Sequence, residues 1–298
     1  MAAGARPGHA MGPALEWANM TDPQIAAARD AGVLVAVPVG AIEQHGPHLP
    51  VDADILSASA VTLEAARRVR KVPVLVAPGL PFGFSPHHAS KPATLSLGLS
   101  TYLAVLRELI GGIAASGFQR IVLVNGHGGN TAPLKALVGE LVMEGIGVAA
   151  IDYFQPGEPV WRDMLQGQLK RVGHACEFET SLTAWLRPAQ RAAIEAASTR
   201  LSPRLVRPWV PSGEAADPFT ADGASWAVLF QGNDCGYFGD PAAGTAAAGE
   251  RLMEVLADGL AHFFDAFATT PVRVGVARGP AGERLLPPIT PVNNRGDY

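Results

Sequence analysis

The 298-residue sequence predicts an α/β fold built on a mostly parallel central sheet. Short apolar segments rich in β-branched residues recur along the first half of the chain, and patterns with helical spacing lie between them. Strands that alternate with helices at this spacing form βαβ units and hence a parallel sheet. The predicted strands are apolar throughout, which is typical of sheets covered by helices on both faces.

The first predicted helix begins at a recognisable N-terminal signal. Thr21 is placed as the N-cap, Pro23 lies in the first turn, and Gln24 completes a capping box. The next predicted elements are a buried strand over 34–40, a helix over 54–70 and a strand over 72–78.

The second half of the sheet is predicted from the same alternation. The predicted elements are a helix over 100–116, a strand over 120–126, a helix over 131–143 and a strand over 146–153. Asn130 stands directly before the helix that begins at Thr131 and is expected to cap it.

The remainder of the chain is less regular. Residues 155–235 contain scattered prolines and the tryptophans Trp161, Trp185 and Trp226, and they are interpreted as an elaboration of the same domain. One helix is expected there over 179–186, and a C-terminal helix over 249–267. A lead-in before about residue 15 and an extended arm or tail over 269–298 would flank the domain, which is assigned to residues 15–268.

Composition excludes several classes of protein. Hydrophobic residues make up 48% and charged residues 17% of the chain, a balance typical of a globular protein with a sizeable core. The net charge is −4 without a Lys/Arg cluster, which argues against a nucleic-acid partner. No apolar run is long enough to span a membrane, residues 1–13 lack the apolar core of a signal peptide, and two cysteines form no disulfide framework. We therefore expect a cytoplasmic protein.

Polar clusters follow the predicted strands at the place where chemistry is expected. In parallel sheets, ligands bind beyond the carboxyl ends of the strands. The loop after the strand at 34–40 holds Glu43, His45 and Asp54, and the loop after the strand at 120–126 holds His127. Both clusters therefore belong to the same edge of the predicted sheet.

The first cluster has the composition of a metal site. Its potential ligands are Glu43, His45, His48, Asp52 and Asp54. Carboxylates and imidazoles are the usual protein ligands of zinc, manganese and iron, and an Asp in this loop can supply the bridging carboxylate of a two-metal site. The alternative is a polar loop whose side chains cap helices, as Asp52 would for the helix that follows. For His48, the sequence allows either a ligand role or a structural role.

The second cluster is a histidine among glycines, His127 within Asn125–Asn130. Glycines allow a close approach to a ligand. Glycine-rich turns before helices also bind phosphate, but this segment has neither a lysine nor the Walker spacing. A structural histidine is the alternative.

The third cluster surrounds His174, whose ordinary pKa suits a general acid or base. Glu177 and Glu179 alternate, so an extended segment would direct one of them to the site. Alternatively, both acids stabilise the N-terminus of a helix. Cys176 is disfavoured as a nucleophile because a two-metal site does not need a thiol.

A fourth motif holds the paired histidines His87 and His88 after the second predicted strand. They would bind substrate, shape the pocket or serve the structure. Taken together, the clusters indicate a hydrolase. Two metals polarise an amide carbonyl and lower the pKa of a bridging water, and a histidine carries the proton to the leaving nitrogen.

These motifs resemble the creatininase (creatinine amidohydrolase) family over roughly residues 15–268. The matching segments are Glu43–Pro50, Asp54, Asn125–Asn130, His174–Ser181 and Gly239–Pro241. The resemblance implies a three-layer α/β/α sandwich. It also implies a homo-oligomer, often a hexamer, that acts on a small-molecule amide substrate.

The resemblance also implies a role for each matching residue. Glu43, Asp54 and His127 would hold one metal. His45 and Asp54, with a further carboxylate, would hold the second, so that Asp54 bridges two divalent ions, zinc together with zinc, manganese or iron. His174 would be the catalytic histidine. The residues expected at the substrate or behind the ligands are Glu179, His88, Asn125 and Gly128.

The sequence departs from creatininase itself just after His127. Gly128 and Gly129 stand where that enzyme has a substrate-contacting Tyr and a metal-binding Glu. We expect Glu177 to take over as the second-metal carboxylate, with Glu179 as runner-up. Residues 91–94 also depart from the family's usual Pro-Gly-Thr.

The substrate is therefore expected to be a small or cyclic amide other than creatinine. Two alternatives within the family are removal of a formyl group from a pyrimidine amide and cleavage of a C-terminal dipeptide from a precursor peptide of a redox cofactor. An inactive relative that only binds a metal or ligand is the alternative from another class.

Overall fold

The computed structural model describes residues 15–205 and 235–271. Its centre is a sheet of five strands in the order β1-β3-β2-β4-β5. The strands are β1 Leu15–Glu16, β2 Leu34–Val39, β3 Val74–Val76, β4 Ile121–Asn125 and β5 Val148–Asp152. Every neighbouring pair is parallel, so the predicted parallel sheet is confirmed.

Eight α-helices surround this sheet in the described part of the chain. They are α1 Asp22–Asp30, α2 Ala53–Arg68, α3 Leu99–Ala115, α4 Thr131–Met143, α5 Glu158–Trp161, α6 Glu177–Leu186, α7 Arg191–Ser198 and α8 Ala246–Thr269. The elements predicted on described residues are all present, and only β1, α5 and α7 were not predicted. These three elements are too short to carry a recognisable periodicity.

Two apolar layers hold the helices against the sheet. Alternate strand residues such as Leu34 and Val122 pack with α2, α6 and α8 on one face. Their neighbours Val35 and Ile121 pack with α1, α3 and α4 on the other face. All residues of β2, β3 and β4 are buried, as expected for strands covered on both sides. The fold is the three-layer α/β/α sandwich that the resemblance implied.

The chain opens a crevice at the carboxyl ends of β2 and β4. These strands are neighbours, with Val39 paired to Asn125 at their last residues. The chain leaves β2 toward α2 on one face of the sheet and leaves β4 toward α4 on the other face. Loops that diverge in this way create the binding position typical of open α/β sheets.

The caps of three helices were predicted with mixed success. The capping box of α1 is confirmed, because Gln24 Oε1 accepts a hydrogen bond from the Thr21 backbone nitrogen at 2.8 Å. Asp52 precedes α2 but makes no side-chain cap, since its carboxylate pairs with Arg187 instead. The interpretation of Asp52 as a cap was wrong because a local sequence pattern does not reveal Arg187, a partner that is distant in the sequence.

Asn130 also stands at an N-cap position without capping its helix, so that prediction was wrong. Its side-chain nitrogen donates to Gly40 O at 3.1 Å and to Asn125 Oδ1 at 3.2 Å. Its oxygen accepts from the Phe84 backbone nitrogen at 2.9 Å. The buried amide thus ties together the loops that follow β2, β3 and β4.

Some expectations lie outside the described residues. These are the lead-in before residue 15, the setting of Trp226 and the arm beyond residue 271. Within residues 15–205 and 235–271, none of the helices combines the length and apolar character needed to cross a membrane.

Substitution can distinguish the joining of three loops by Asn130 from helix capping. Serine is as good an N-cap as asparagine, but it cannot join three loops. We expect both Asn130→Ala and Asn130→Ser to lower the free energy of unfolding by at least about 2 kcal/mol, because buried partners lose their hydrogen bonds. Urea unfolding measures this loss. Native stability in the serine variant would restore the capping interpretation.

Candidate metal centre

Eight ionisable side chains meet at the carboxyl ends of the strands. Within the described residues, the groups able to hold a metal are drawn from Glu43, His45, Asp54, His87, His88, His127, His174 and Glu179. His174 is partly buried and the other seven are buried. The structure therefore brings together the clusters that the sequence placed after separate strands.

Asp54, in the first turn of α2, lies between two imidazoles. His45 Nε2 is 3.1 Å from Asp54 Oδ1, and His127 Nδ1 is 3.1 Å from Asp54 Oδ2. The contact between His127 and Oδ2 does not have hydrogen-bond geometry, so this buried oxygen has no hydrogen-bond partner. A buried carboxylate oxygen without a partner is costly and calls for a cation.

The far side of each ring faces a backbone carbonyl. His45 Nδ1 is 3.2 Å from Glu43 O, and His127 Nε2 is 3.2 Å from Phe84 O. A carbonyl oxygen can only accept, so we assign a proton to each of these outer nitrogens. With the outer nitrogen protonated, the inner nitrogen can face a metal ion, an orientation typical of histidines that bind metals. Without an ion, His45 Nε2 can share a proton with Asp54 Oδ1 at 3.1 Å.

Glu43 lies at the centre of the cluster. Its Oε2 is 3.3 Å from His127 Nδ1, and its Oε1 is 3.3 Å from His88 Nε2. The Ser85 hydroxyl donates to Oε2 and orients the carboxylate. Sequence analysis did not identify Ser85, although it lies in the loop after the predicted strand at 72–78.

The electrostatics of the cluster favour positive charge. Burial opposes protonation of His45 and His127, yet the nearby carboxylates raise the pKa of His45 to about 10 and that of His127 well above its usual value. Asp54 and Glu43 contribute to both shifts. Protons are thus retained at the positions where a metal ion would otherwise balance the carboxylates.

The two glutamates of α6 face different surroundings. A carboxylate oxygen of Glu179 lies within 4.8 Å of ligand atoms on His45 and His174. Glu177 instead accepts from the backbone nitrogens of Gln166 at 2.7 Å and Gly167 at 2.8 Å. Residues two apart on a helix point about 200° apart. This placement does not agree with the expectation that Glu177 rather than Glu179 joins the metal site.

His174 is held from both its backbone and its ring. Its backbone exchanges hydrogen bonds with Phe238 at 2.9 and 2.7 Å, and the next residue, Ala175, has a φ of 48°. The ring stacks on His88 with centroids 4.3 Å apart, and its Nε2 lies 2.8 Å from Gln44 O. Burial and the nearby His45 lower the pKa of His174 well below its ordinary value, so the ring is neutral.

Three other residues singled out in the sequence serve the structure around the cluster. His48 Nε2 lies 2.8 Å from Thr180 Oγ1, and His48 belongs to none of the possible metal groups. Asn125 donates to Asp152 Oδ1 at 2.7 Å and accepts from the His127 nitrogen at 3.0 Å, which holds the histidine loop. Burial raises the pKa of Cys176 to about 12, consistent with its rejection as a nucleophile.

The glycines after His127 are not equivalent. A Cβ atom on Gly128 would have no other atom within 4 Å, so this position faces open space. A Cβ on Gly129 would lie 2.6 Å from both His87 Cε1 and Phe84 O. The ring of His87 therefore occupies the volume that a side chain at position 129 would need.

Comparison with known proteins agrees with this geometry. The family model described as creatinine amidohydrolase matches residues 18–264. The chain belongs to the creatininase family. The family resemblance predicted from the sequence motifs is thereby confirmed. The hydrolases of this family are relatives of the chain.

Individual relatives differ in how much of the chain they match. A mycofactocin precursor peptide peptidase from Mycobacterium tuberculosis is 33% identical over 75% of this chain and 81% of its own. A creatinine amidohydrolase from Pseudomonas putida is 34% identical over 39% of this chain and 42% of its own. The structure of a mutant creatininase in complex with creatine has a TM-score of 0.65 and 25% identity, and the match covers 86% of this chain and 100% of that one.

The adjacent glycines provide a matched pair of variants. We expect Gly129→Ala to displace His127 and His87 and thereby to lower both thermal stability and metal uptake, because its methyl group overlaps them. Gly128→Ala should leave the melting temperature within about 2 °C of the native value, since its methyl group enters open space. Calorimetry and metal analysis test the pair. Equal behaviour of the two variants would contradict the described packing.

Proposed function

We propose that the chain hydrolyses an amide C–N bond with the help of two divalent metal ions. The observation that carries this proposal is the carboxylate of Asp54, which lies 3.1 Å from the inward nitrogens of His45 and His127. Each imidazole faces a carbonyl on its other side, which places a proton on the outer nitrogen and leaves the inner nitrogen beside the carboxylate. Cations in these two gaps would balance the charge of Asp54 in place of protons on the rings.

The donor set divides into two groups that share Asp54. Glu43, Asp54 and His127 would hold one ion. The second ion would be held by His45, Asp54 and Glu179, the last of which we prefer to Glu177 because of its position beside His45. Mixed carboxylate and imidazole ligands suit zinc, with zinc, manganese or iron as its companion.

When bound, such a metal pair supplies a polarised carbonyl and a water of lowered pKa. The protein groups then orient the reactants and move the proton. His174 is a neutral imidazole at the edge of the cluster, with its Nδ1 3.6 Å from Glu43 Oε1. We assign it the transfer of a proton from the attacking water to the leaving nitrogen. The buried surroundings exclude competing water from this transfer.

A short peptide is the substrate class that we favour over creatinine. The similarity to the mycobacterial peptidase extends over 75% of the chain, whereas the similarity to the creatinine amidohydrolase extends over 39%. The open space at Gly128, where creatininase would have its substrate-contacting Tyr, leaves room for a larger ligand. A small or cyclic amide other than creatinine is the second candidate.

Two variants separate metal binding from proton transfer. Elemental analysis of the native chain should give about two ions, and Asp54→Ala should lose both with all hydrolysis, because the shared ligand is gone. His174→Ala should keep both ions while kcat falls by about 10²–10⁴-fold, the usual contribution of a general acid or base. A metal-free native chain, even after loading, would overturn the proposal.

The choice between the two glutamates is tested by their amide variants. Glu179→Gln should weaken one metal site at least about 10-fold, because a charged ligand becomes neutral. Glu177→Gln should keep both affinities and instead lower stability by about 1–3 kcal/mol, since two backbone amides lose a charged acceptor. Isothermal titration and urea unfolding give the two quantities. The reverse ranking would return the ligand role to Glu177.

A substrate panel distinguishes the candidate activities. The metal-loaded chain should release free amine from short peptides and leave creatinine intact, because the space at Gly128 suits an extended ligand. Mass spectrometry of the products identifies the bond that is cleaved. The Asp54→Ala protein, purified in parallel, controls for contaminating peptidases. Turnover of creatinine above that of every peptide would contradict the preference for peptides.

A further inference from the structure

His87 is a buried imidazole of the cluster to which the assignment above gives no ligand role. It offers a nitrogen within 4.8 Å of ligand atoms on Glu43 and His127. Its side chain belongs to the one-turn 3₁₀ helix Pro86–His88, which follows β3. The residue is 4% exposed, so its ring faces the protein interior rather than solvent.

The ring of His87 fits the metal position because Gly129 has no side chain. Its Cε1 would lie 2.6 Å from a Cβ at position 129, so only glycine there allows the ring to approach. The rings of His87 and His127 are parallel within 3°, with centroids 5.4 Å apart. Two imidazoles are thereby presented to the same neighbouring carboxylate, Glu43.

The segment that carries His87 also orients the other ligands of this ion. Phe84 O lies 3.2 Å from His127 Nε2, and the Ser85 hydroxyl donates to Glu43. Three nearly consecutive residues thus converge on the position between Glu43 and His127. A segment with only a packing role would not need polar contacts to both of these groups.

The adjacent His88 has a different protonation pattern. Gln44 Oε1 accepts from the Gly46 nitrogen at 3.1 Å, which fixes the amide so that its Nε2 lies 3.0 Å from His88 Nδ1. An amide nitrogen can only donate, so Nδ1 of His88 accepts and its Nε2 carries the proton. This Nε2 lies 3.3 Å from Glu43 Oε1. In this protonation state His88 presents a proton rather than a lone pair to Glu43, so we assign it no ligand role.

We propose that His87 is a fourth protein ligand of the ion held by Glu43, Asp54 and His127. This inference rests on the two-metal function proposed above and assigns a residue that the family motifs leave without a role. Two imidazoles and two carboxylates would then hold this ion, whereas His45, Asp54 and Glu179 would hold the second.

Cobalt binding to the full chain tests this assignment. We expect His87→Phe, which keeps a stacked ring but no nitrogen, to weaken one of the two cobalt sites at least about 10-fold and to change the visible spectrum of the bound ion. His48→Phe, at a buried histidine that belongs to none of the possible metal groups, is the control and should leave both affinities within about two-fold of the native values. Native cobalt affinity and an unchanged spectrum in His87→Phe would overturn the proposal.

A measurement on the native chain covers the case in which a variant does not fold. A crystal structure of the zinc-loaded protein should have a nitrogen of His87 about 2.1 Å from one ion. Two bound ions with His87 beyond about 3 Å would reject this inference and leave the two-metal function intact. The absence of any bound ion would reject both.

Discussion

The arrangement of the site depends on one electrostatic conflict at the start of α2. The carboxylate of Asp54 is buried between His45 and His127, and the other nitrogen of each ring faces a backbone carbonyl. A buried carboxylate without a balancing positive charge is unfavourable. The raised pKa of both rings shows the same preference for positive charge beside Asp54. A pair of divalent ions would meet it with fixed charge that does not depend on protonation.

The fold supplies the rigidity that such a conflict requires. Parallel strands end at one edge, so the loops after β2, β3 and β4 deliver their side chains to a common volume. The amide of Asn130 joins these three loops, and Asn125 holds the turn around His127. Most ligands therefore stand at the ends of buried strands or in the first turn of a helix, where neighbouring elements limit their movement.

The sequence predicted the location of the site better than its internal assignment. Glu43, His45, Asp54 and His127 could be placed together because the strand-end rule depends only on element order. The preference for Glu177 over Glu179 does not agree with the structure, because alternation shows that two side chains diverge but not which one faces the site. The contacts of Asn130 and Asp52 were missed for a similar reason, since their partners are distant in sequence and a local capping pattern does not reveal them.

The backbone beside His174 sets a balance between strain and stiffness. Ala175 has a φ of 48°, in the left-handed region that costs a residue with a Cβ about 1–2 kcal/mol. Glycine would relieve that cost, but it would increase the conformational freedom of the unfolded chain. It would also allow the backbone next to His174 to adopt further conformations in the folded protein. Alanine accepts the local strain and limits the range of dihedral angles next to the histidine. The unfavourable backbone conformation of Ala175 thus helps to fix the orientation of the His174 ring, to which we assign proton transfer.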